Sequence, residues 1–323
     1  MCLYPQLLKN KKYVPTKKNN YNPPAPPADQ RVLYVPVGCQ RCVECRKQKA
    51  REWSVRLQEE IRHNKNGKFV TLSFSNESLN KIYNALNTKA TGYHLDNEIA
   101  VYAIRHFLEL WRKHHKKSIR HWLTTELGQN NTERIHIHGM LFTDKPKEIE
   151  KIWKYGNVFI GETCNEATVN YIVKYLHKAD PLHKEYIPKL CVSPGIGSGY
   201  LNRADCVING YKDDSETKET YTTRQGLKLP LPIYYRNKIY NEEEREKLWV
   251  QKLDKNLRYV LGQKVDISTT EGENDYFRML REAQIKNLKM GYNGGEENWE
   301  EREYEIERRK LKQKEYISKL GKD

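Results

Sequence analysis

Two stretches constrain the fold more than any others. IRHWLTTEL at residues 119–127 and RIHIHGMLF at 134–142 both alternate in character, and only the polar GQNNTE separates them. Successive side chains of a strand point to opposite faces, so this pattern predicts two strands joined as a hairpin. His136 and His138 then project to one side of the second strand, and Glu126 on the first can reach the same place. Two imidazoles and a carboxylate make a ligand set for a divalent cation with positions left open for phosphate and water. The mixed set suits Mg or Mn and does not exclude Zn. Gly139, next in the chain, removes a side chain where backbone or phosphate can approach.

Around this hairpin, FVTLSF at 69–74 reads as a buried strand and residues 98–115 as a helix with Ile104, Phe107, Leu108 and Trp111 inward. A helix near 147–155, a short strand at 157–162 and a helix from about 165 to 178 follow. Residues four apart on a helix share a face, so Tyr171 and Tyr175 present two phenol oxygens side by side. Lys174 between them and Lys178 one turn on can steady a phenolate or a phosphate as point charges. Interleaved strands and helices predict an α+β fold, a central antiparallel sheet flanked by helices, with helical extensions. Residues 191–201 are Gly-rich and read as a loop near substrate, and 228–240 as extended and irregular. Helices resume from about 241, and the final run from EENWEEREYEIE into RRKLKQK suits a solvated helix.

The N-terminal end is of another kind. Residues 1–35 are rich in Lys, Asn and Pro and read as an extended arm with little structure of its own. From about 44 to 64, Ala50, Trp53, Leu57 and Ile61 recur at helical spacing among charged residues, which predicts an amphipathic helix with a charged outer face. Three parts result: 1–64 with the basic arm, cysteines and helix; 65–240 with the core and substrate loops; and a charged helical segment at 241–323. Cys39, Cys42 and Cys45 form C-x2-C-x2-C, and the arm is long enough to bring back Cys2 as a fourth thiolate for structural Zn; the alternative is a set of free or buried thiols. A ferredoxin-type cluster lacks its nearby fourth cysteine. Cys164, Cys191 and Cys206 read as packing residues.

The net charge of +15 among 31% charged residues favours a polyanionic partner, and 22 Tyr with 6 Trp offer flat groups on which unpaired bases stack. Arg46, Lys47, Lys49, Arg51 and Arg56 on the first helix are candidate phosphate contacts. No apolar run approaches the roughly 20 residues that span a bilayer. With seven cysteines and no signal-like start, the expectation is a soluble protein of a reducing, intracellular compartment with no membrane partner.

A strand H-x-H alone is a weak signal, and a helical Y-x-x-x-Y alone is most often a core stripe. Their joint occurrence with Glu126 within 50 residues narrows the reading. In that order they closely resemble the HUH endonucleases of the rolling-circle replication-initiator class; relaxases place the tyrosine first. More closely, GCQRCVECRKQKAREWSVRLQEE, TLSF, TTELG, HIHGMLF, YIVKYLHK and LPIYYRNKIY, spread over about 37–240, resemble the replication initiators of small single-stranded DNA phages of the microvirus family, gokushovirus group. By that resemblance Glu126, His136 and His138 match the ligands of a divalent cation, and Tyr171 and Tyr175 match the nucleophiles. Lys174 and Lys178 match the lysines of the tyrosine helix, and Leu127 stands where an aromatic is commoner. The implied activity is metal-dependent nicking and rejoining of single-stranded DNA at the viral origin through a 5′-phosphotyrosine. The implied setting is the bacterial cytoplasm, alongside host replication proteins. The rival reading is a noncatalytic single-stranded nucleic-acid binding protein with a structural zinc site.

Overall fold

In the computed structural model, which describes residues 1–27, 29–128, 133–180, 182–183, 185–213, 215–292 and 294, the two alternating stretches are adjacent antiparallel strands. In chain order the described elements are β1 (Gln6–Lys9), β2 (Tyr34–Val37), α1 (Val43–His63), β3 (Gly67–Leu72), α2 (Asn76–Ala85), α3 (Gly92–His115), β4 (Arg120–Leu127), β5 (Ile135–Phe142), α4 (Lys147–Ile152) and β6 (Val158–Ile160). They continue with α5 (Glu166–His177), β7 (Leu190–Val192), α6 (Ala204–Val207), β8 (Thr220–Thr222), β9 (Lys228–Pro230), α7 (Ile233–Ile239), α8 (Glu242–Asp254), β10 (Leu257–Val260), β11 (Gln263–Asp266) and α9 (Thr270–Lys289). Most residues of the GQNNTE turn, and the charged final helix expected after residue 294, lie outside the described residues.

The chain divides into two compact units. One holds Lys49–Lys178 and Tyr186–Ile239, and the other holds Met1–Gln48, Ala179–Glu185 and the chain from Tyr240 onward. The three-part division read from the sequence gives way to these two because N-terminal and C-terminal segments pack together. The larger unit is the expected α+β fold: a five-stranded sheet in the order β6-β3-β5-β4-β7, antiparallel at every pairing. Side-chain alternation gives its faces different partners. Val70, Leu72, Leu123, Ile135, Ile137 and Leu141 pack on Ile104, Phe107 and Trp111 of α3 and on Trp153. Trp122, Met140 and Phe142, on the opposite face, pack on Leu57 and Ile61 of α1 and on Val169, Ile172, Val173 and Leu176 of α5.

Helix α1 departs from the expected charged outer face. Glu59 and Glu60 are buried, and each answers cations far along the chain. Glu60 accepts from Arg120 Nη2 at 2.8 Å, the Gly197 N–H at 2.7 Å and Asn64 Nδ2 at 2.6 Å. Glu59 accepts from Arg203 Nη1 and the Tyr221 hydroxyl, each at 2.6 Å. These bonds fasten the Gly-rich 191–201 segment, which begins in β7 and closes in a 3-10 turn at Ser198–Asn202. Residues 228–240 are ordered into β9 and α7 instead of being irregular. Pro232 sets the helix start, its carbonyl accepting from the amides of Tyr235 and Arg236, where a missing proline N–H costs nothing. Helix α2, not anticipated, is capped by the Ser75 hydroxyl accepting from the Ser78 amide.

In the smaller unit the N-terminal arm is folded. β1 pairs antiparallel with β2, and Tyr13 and Lys12 bond Glu246 of α8 at 2.8 and 2.7 Å. Leu3, Tyr4 and Val43 pack with Tyr276, Leu280 and Ala283 of α9 and with Val260 and Ile267. Among the described residues no helix is long and apolar enough to cross a membrane.

Candidate active site

The register of β4 on β5 sets Glu126 opposite His136 and Thr124 opposite His138, while β3 places Thr71 on the other side of His138. All five side chains belong to the face covered by α1 and α5. Glu126 Oε2 lies 2.8 Å from His138 Nε2, and the Thr71 hydroxyl meets His138 Nδ1 at 3.0 Å. Both ring nitrogens of His138 are therefore engaged and the ring is held in one orientation. The His136 ring stands 6.4 Å from that of His138, inclined by 29°. Burial disfavours its charged form and, joined by the neighbouring His138, outweighs the Arg134 carbonyl to leave its pKa below the ordinary imidazole value.

Helix α5 carries the tyrosines to this face. Asn165 caps its start, accepting from the Thr168 amide, and the stripe Val169, Ile172, Val173 and Leu176 is buried against the sheet. That rotation leaves Tyr171 and Tyr175 along the helix edge nearest His138. The Tyr175 ring stacks on His138 at 4.5 Å with only 9° between the planes. Its hydroxyl donates to the Tyr171 oxygen at 2.8 Å. Tyr171 is 48% exposed, whereas Tyr175 is half-buried. Burial, the Tyr171 hydroxyl and the charge of Glu126 all push the Tyr175 pKa well above the usual phenol range. Lys174 is exposed with Nζ 5.7 Å from the Tyr171 ring centre, and Lys178 is exposed at the helix end.

The donors suit a hard or borderline divalent cation. Glu126 and His138 already hold an oxygen and a nitrogen 2.8 Å apart, close to the roughly 3 Å between adjacent ligands of an octahedral cation with bonds of about 2.1 Å. The Thr124 hydroxyl, buried beside His138, has no hydrogen-bond partner among the described residues. The ligand atoms of Glu126, His136 and His138 do not all lie within 4.8 Å of one another, so a shared ion requires His136 to turn toward the other two.

Two further residues escaped the sequence reading. Phe69 packs edge-on to Tyr171 at 5.9 Å and lies parallel to His138 at 6.4 Å. Thr71, two residues on in the TLSF string, fixes His138; its place beside a strand flagged by H-x-H was the available signal. Gly139 points to the opposite face. An added Cβ there would run into the Trp122 carbonyl oxygen and sit 2.8 Å from Leu123 Cα, so this glycine serves the closeness of β4 and β5 and not a phosphate.

The basic residues of α1 separate. Lys47 and Arg51 are exposed and Lys49 is half-buried, which leaves them open to a phosphate backbone. Arg46 is buried over the Tyr292 ring. Arg56 is held between Trp53 and Tyr234, 4.1 Å from each ring centre, and donates to the Ile196 carbonyl. Those two guanidiniums serve packing, a correction to their reading as DNA contacts. Cys164 and Cys191 pack against the two sheet faces and Cys206 is buried. Cys2, Cys39, Cys42 and Cys45 come together in the smaller unit.

Residues 67–180, from β3 to just past α5, match the family model for replication-associated protein ORF2. Replication-associated protein ORF2 of Spiroplasma virus 4 is 31% identical over 236 residues, covering 65% of this chain and 69% of its own length. No solved structure matches. The matched segment contains the glutamate, both histidines and both tyrosines gathered on one face of the sheet, and the chain belongs to the replication-associated protein ORF2 family.

Proposed function

We propose that this protein initiates rolling-circle replication of a single-stranded DNA viral genome by nicking the origin, holding the 5′ end on a tyrosine and later rejoining the strand. The observation that carries this reading is the unbroken line from Glu126 through His138 and Tyr175 to Tyr171, in which cation ligands and two hydroxyl nucleophiles meet on one face.

Tyr171 is the first nucleophile. Its oxygen is exposed and accepts the Tyr175 hydrogen bond, which favours negative charge on the attacking atom. Attack on phosphorus forms the tyrosyl–phosphate bond and breaks the P–O3′ bond. The phenolic proton is lost and the departing 3′ oxygen takes one up. A divalent cation held by Glu126, His136 and His138 supplies positive charge where negative charge accumulates on the phosphoryl oxygens. The phosphotyrosine conserves the ester bond, so a 3′-hydroxyl can attack it and restore the DNA strand. The freed 3′-hydroxyl is the primer that a host polymerase extends. While Tyr171 is esterified, Tyr175 remains a free hydroxyl within reach for the next cut. Lys174 and Lys178 offer exposed positive charge to the same phosphates.

Phe159, in register with Thr71 and 60% exposed, stands 6.2 Å from Phe69 and extends the aromatic row from the tyrosines to the sheet edge. An unpaired base flanking the scissile phosphate can stack there. A labelled origin oligonucleotide with Mn or Mg tests the proposal. Wild type should form a covalent protein–DNA adduct, and Tyr171→Phe combined with Tyr175→Phe should form none. Adduct formation by the double variant would overturn the nucleophile assignment.

A further inference from the structure

We propose that Cys2, Cys39, Cys42 and Cys45 bind one zinc ion in a closed, structural site. Their sulfurs all lie within 4.8 Å of one another, and Cys2 Sγ is 3.9 Å from Cys42 Sγ. A zinc ion with four bonds of about 2.3 Å arranged tetrahedrally sets neighbouring sulfurs about 3.8 Å apart. A disulfide needs about 2.05 Å. A four-iron cluster spreads its cysteine sulfurs farther than a single ion does.

The surroundings are shaped for these sulfurs. Cys2 Sγ accepts from the Tyr4 and Cys39 amides at 3.3 and 3.2 Å, and Cys39 Sγ accepts from the Cys42 amide at 3.3 Å. Backbone N–H donors of this kind steady thiolates without competing for the cation. Gly38 leaves the space: a Cβ there would fall 2.9 Å from Cys45 Sγ and 3.6 Å from Cys2 Cβ. Binding converts four thiols to thiolates, releases four protons and leaves the centre with a net charge of −2. The buried guanidinium of Arg46, one residue after Cys45, faces that charge.

Four protein ligands leave no open coordination position, which separates this centre from the hydrolytic kind and gives it a fastening role. The need is visible in the unit itself. Its apolar cluster is small, built from Leu3, Tyr4 and Val43 with residues of β10 to α9, and units with modest cores use metals to hold distant segments together. Here the metal ties Cys2 to the first turn of α1 across the whole N-terminal arm.

Full-length protein purified without chelator should carry about one zinc per chain by elemental analysis, and cobalt substitution should give the intense visible bands and sulfur-to-metal charge transfer of a tetrathiolate. Cys2→Ser and Cys42→Ser should each lower metal retention at least tenfold under competition by a chromogenic chelator, the loss of one of four protein ligands. Cys164→Ser and Cys206→Ser should leave it unchanged. If the serine variants do not fold, wild type treated with a thiol-specific mercurial should release zinc in step with the modification of four thiols. Metal-free wild-type protein from zinc-supplemented culture, iron in place of zinc, or full retention by a folded Cys2→Ser variant would each overturn the site as drawn.

Discussion

The two faces of the five-stranded sheet are built from alternate residues of the same strands, yet they do different work. One face presents Leu123, Ile135, Ile137 and Leu141 to α3 and is apolar nearly throughout. The other begins apolar, with Trp122, Met140 and Phe142 under α1 and α5, and turns polar toward one end of the β4–β5 pair, where Glu126, His136 and His138 stand. A single strand thus supplies foundation and chemistry together. The difference teaches that polar groups are tolerated in the sheet only where they partner one another or an expected ligand, as His138 does with Glu126, Thr71 and Tyr175.

Neighbouring residues of β5 should break the comparison most sharply. His138→Ala removes a cation ligand and the surface on which Tyr175 stacks, so adduct formation should fall by about 10³-fold while thermal stability moves by no more than about 1 kcal/mol. Ile137→Ala, one residue away on the other face, should cost about 3 kcal/mol of folding stability and leave the adduct yield per folded molecule intact, read from denaturant melts beside the nicking assay.

On α1, Glu60→Gln should cost about 2 kcal/mol at neutral pH, since Arg120 loses its charged partner in a mostly buried setting. Burial alone would raise the Glu60 pKa, but Arg120, the Gly197 amide and Asn64 hold it below the ordinary carboxylate value. A depressed folded value stabilises above the unfolded pKa of about 4.3 and loses that contribution as pH falls through the folded value. The gap between wild type and variant should therefore be level from pH 7 to 5 and shrink in more acid solution. The smallest effect expected is that of Tyr175→Phe on the first cut, a loss of about tenfold for one hydrogen bond, with peptide mapping locating the adduct on Tyr171.

Local pattern carried far in this chain. Strict alternation exposed β4 and β5, and the ordered set of Glu126, His136, His138, Tyr171 and Tyr175 marked one site before any contact was known. What the pattern could not supply was long-range partnership. Glu59 and Glu60 look like a solvated helix face until Arg203 and Arg120, from 60 to 144 residues away, are seen beside them. Leu3 and Val32 sit in a stretch whose composition suggests disorder, and their burial depends on strand pairing and on α9. Arg46 and Arg56 share the spacing of their exposed neighbours and differ only through Tyr292, Trp53 and Tyr234. Helices α2 and α7 did leave signals, the Ser75 cap and Pro232, and the Tyr- and Pro-rich composition around the second obscured it.

β5 is the middle strand of five, hydrogen-bonded along both edges, and Gly139 seats it so close to β4 that even a methyl group is excluded. The histidines are thus fixed to the stator of the machine. Helix α5 rests on the sheet through one apolar stripe and one cap, so whatever displacement an exchange between tyrosines demands falls to this rotor.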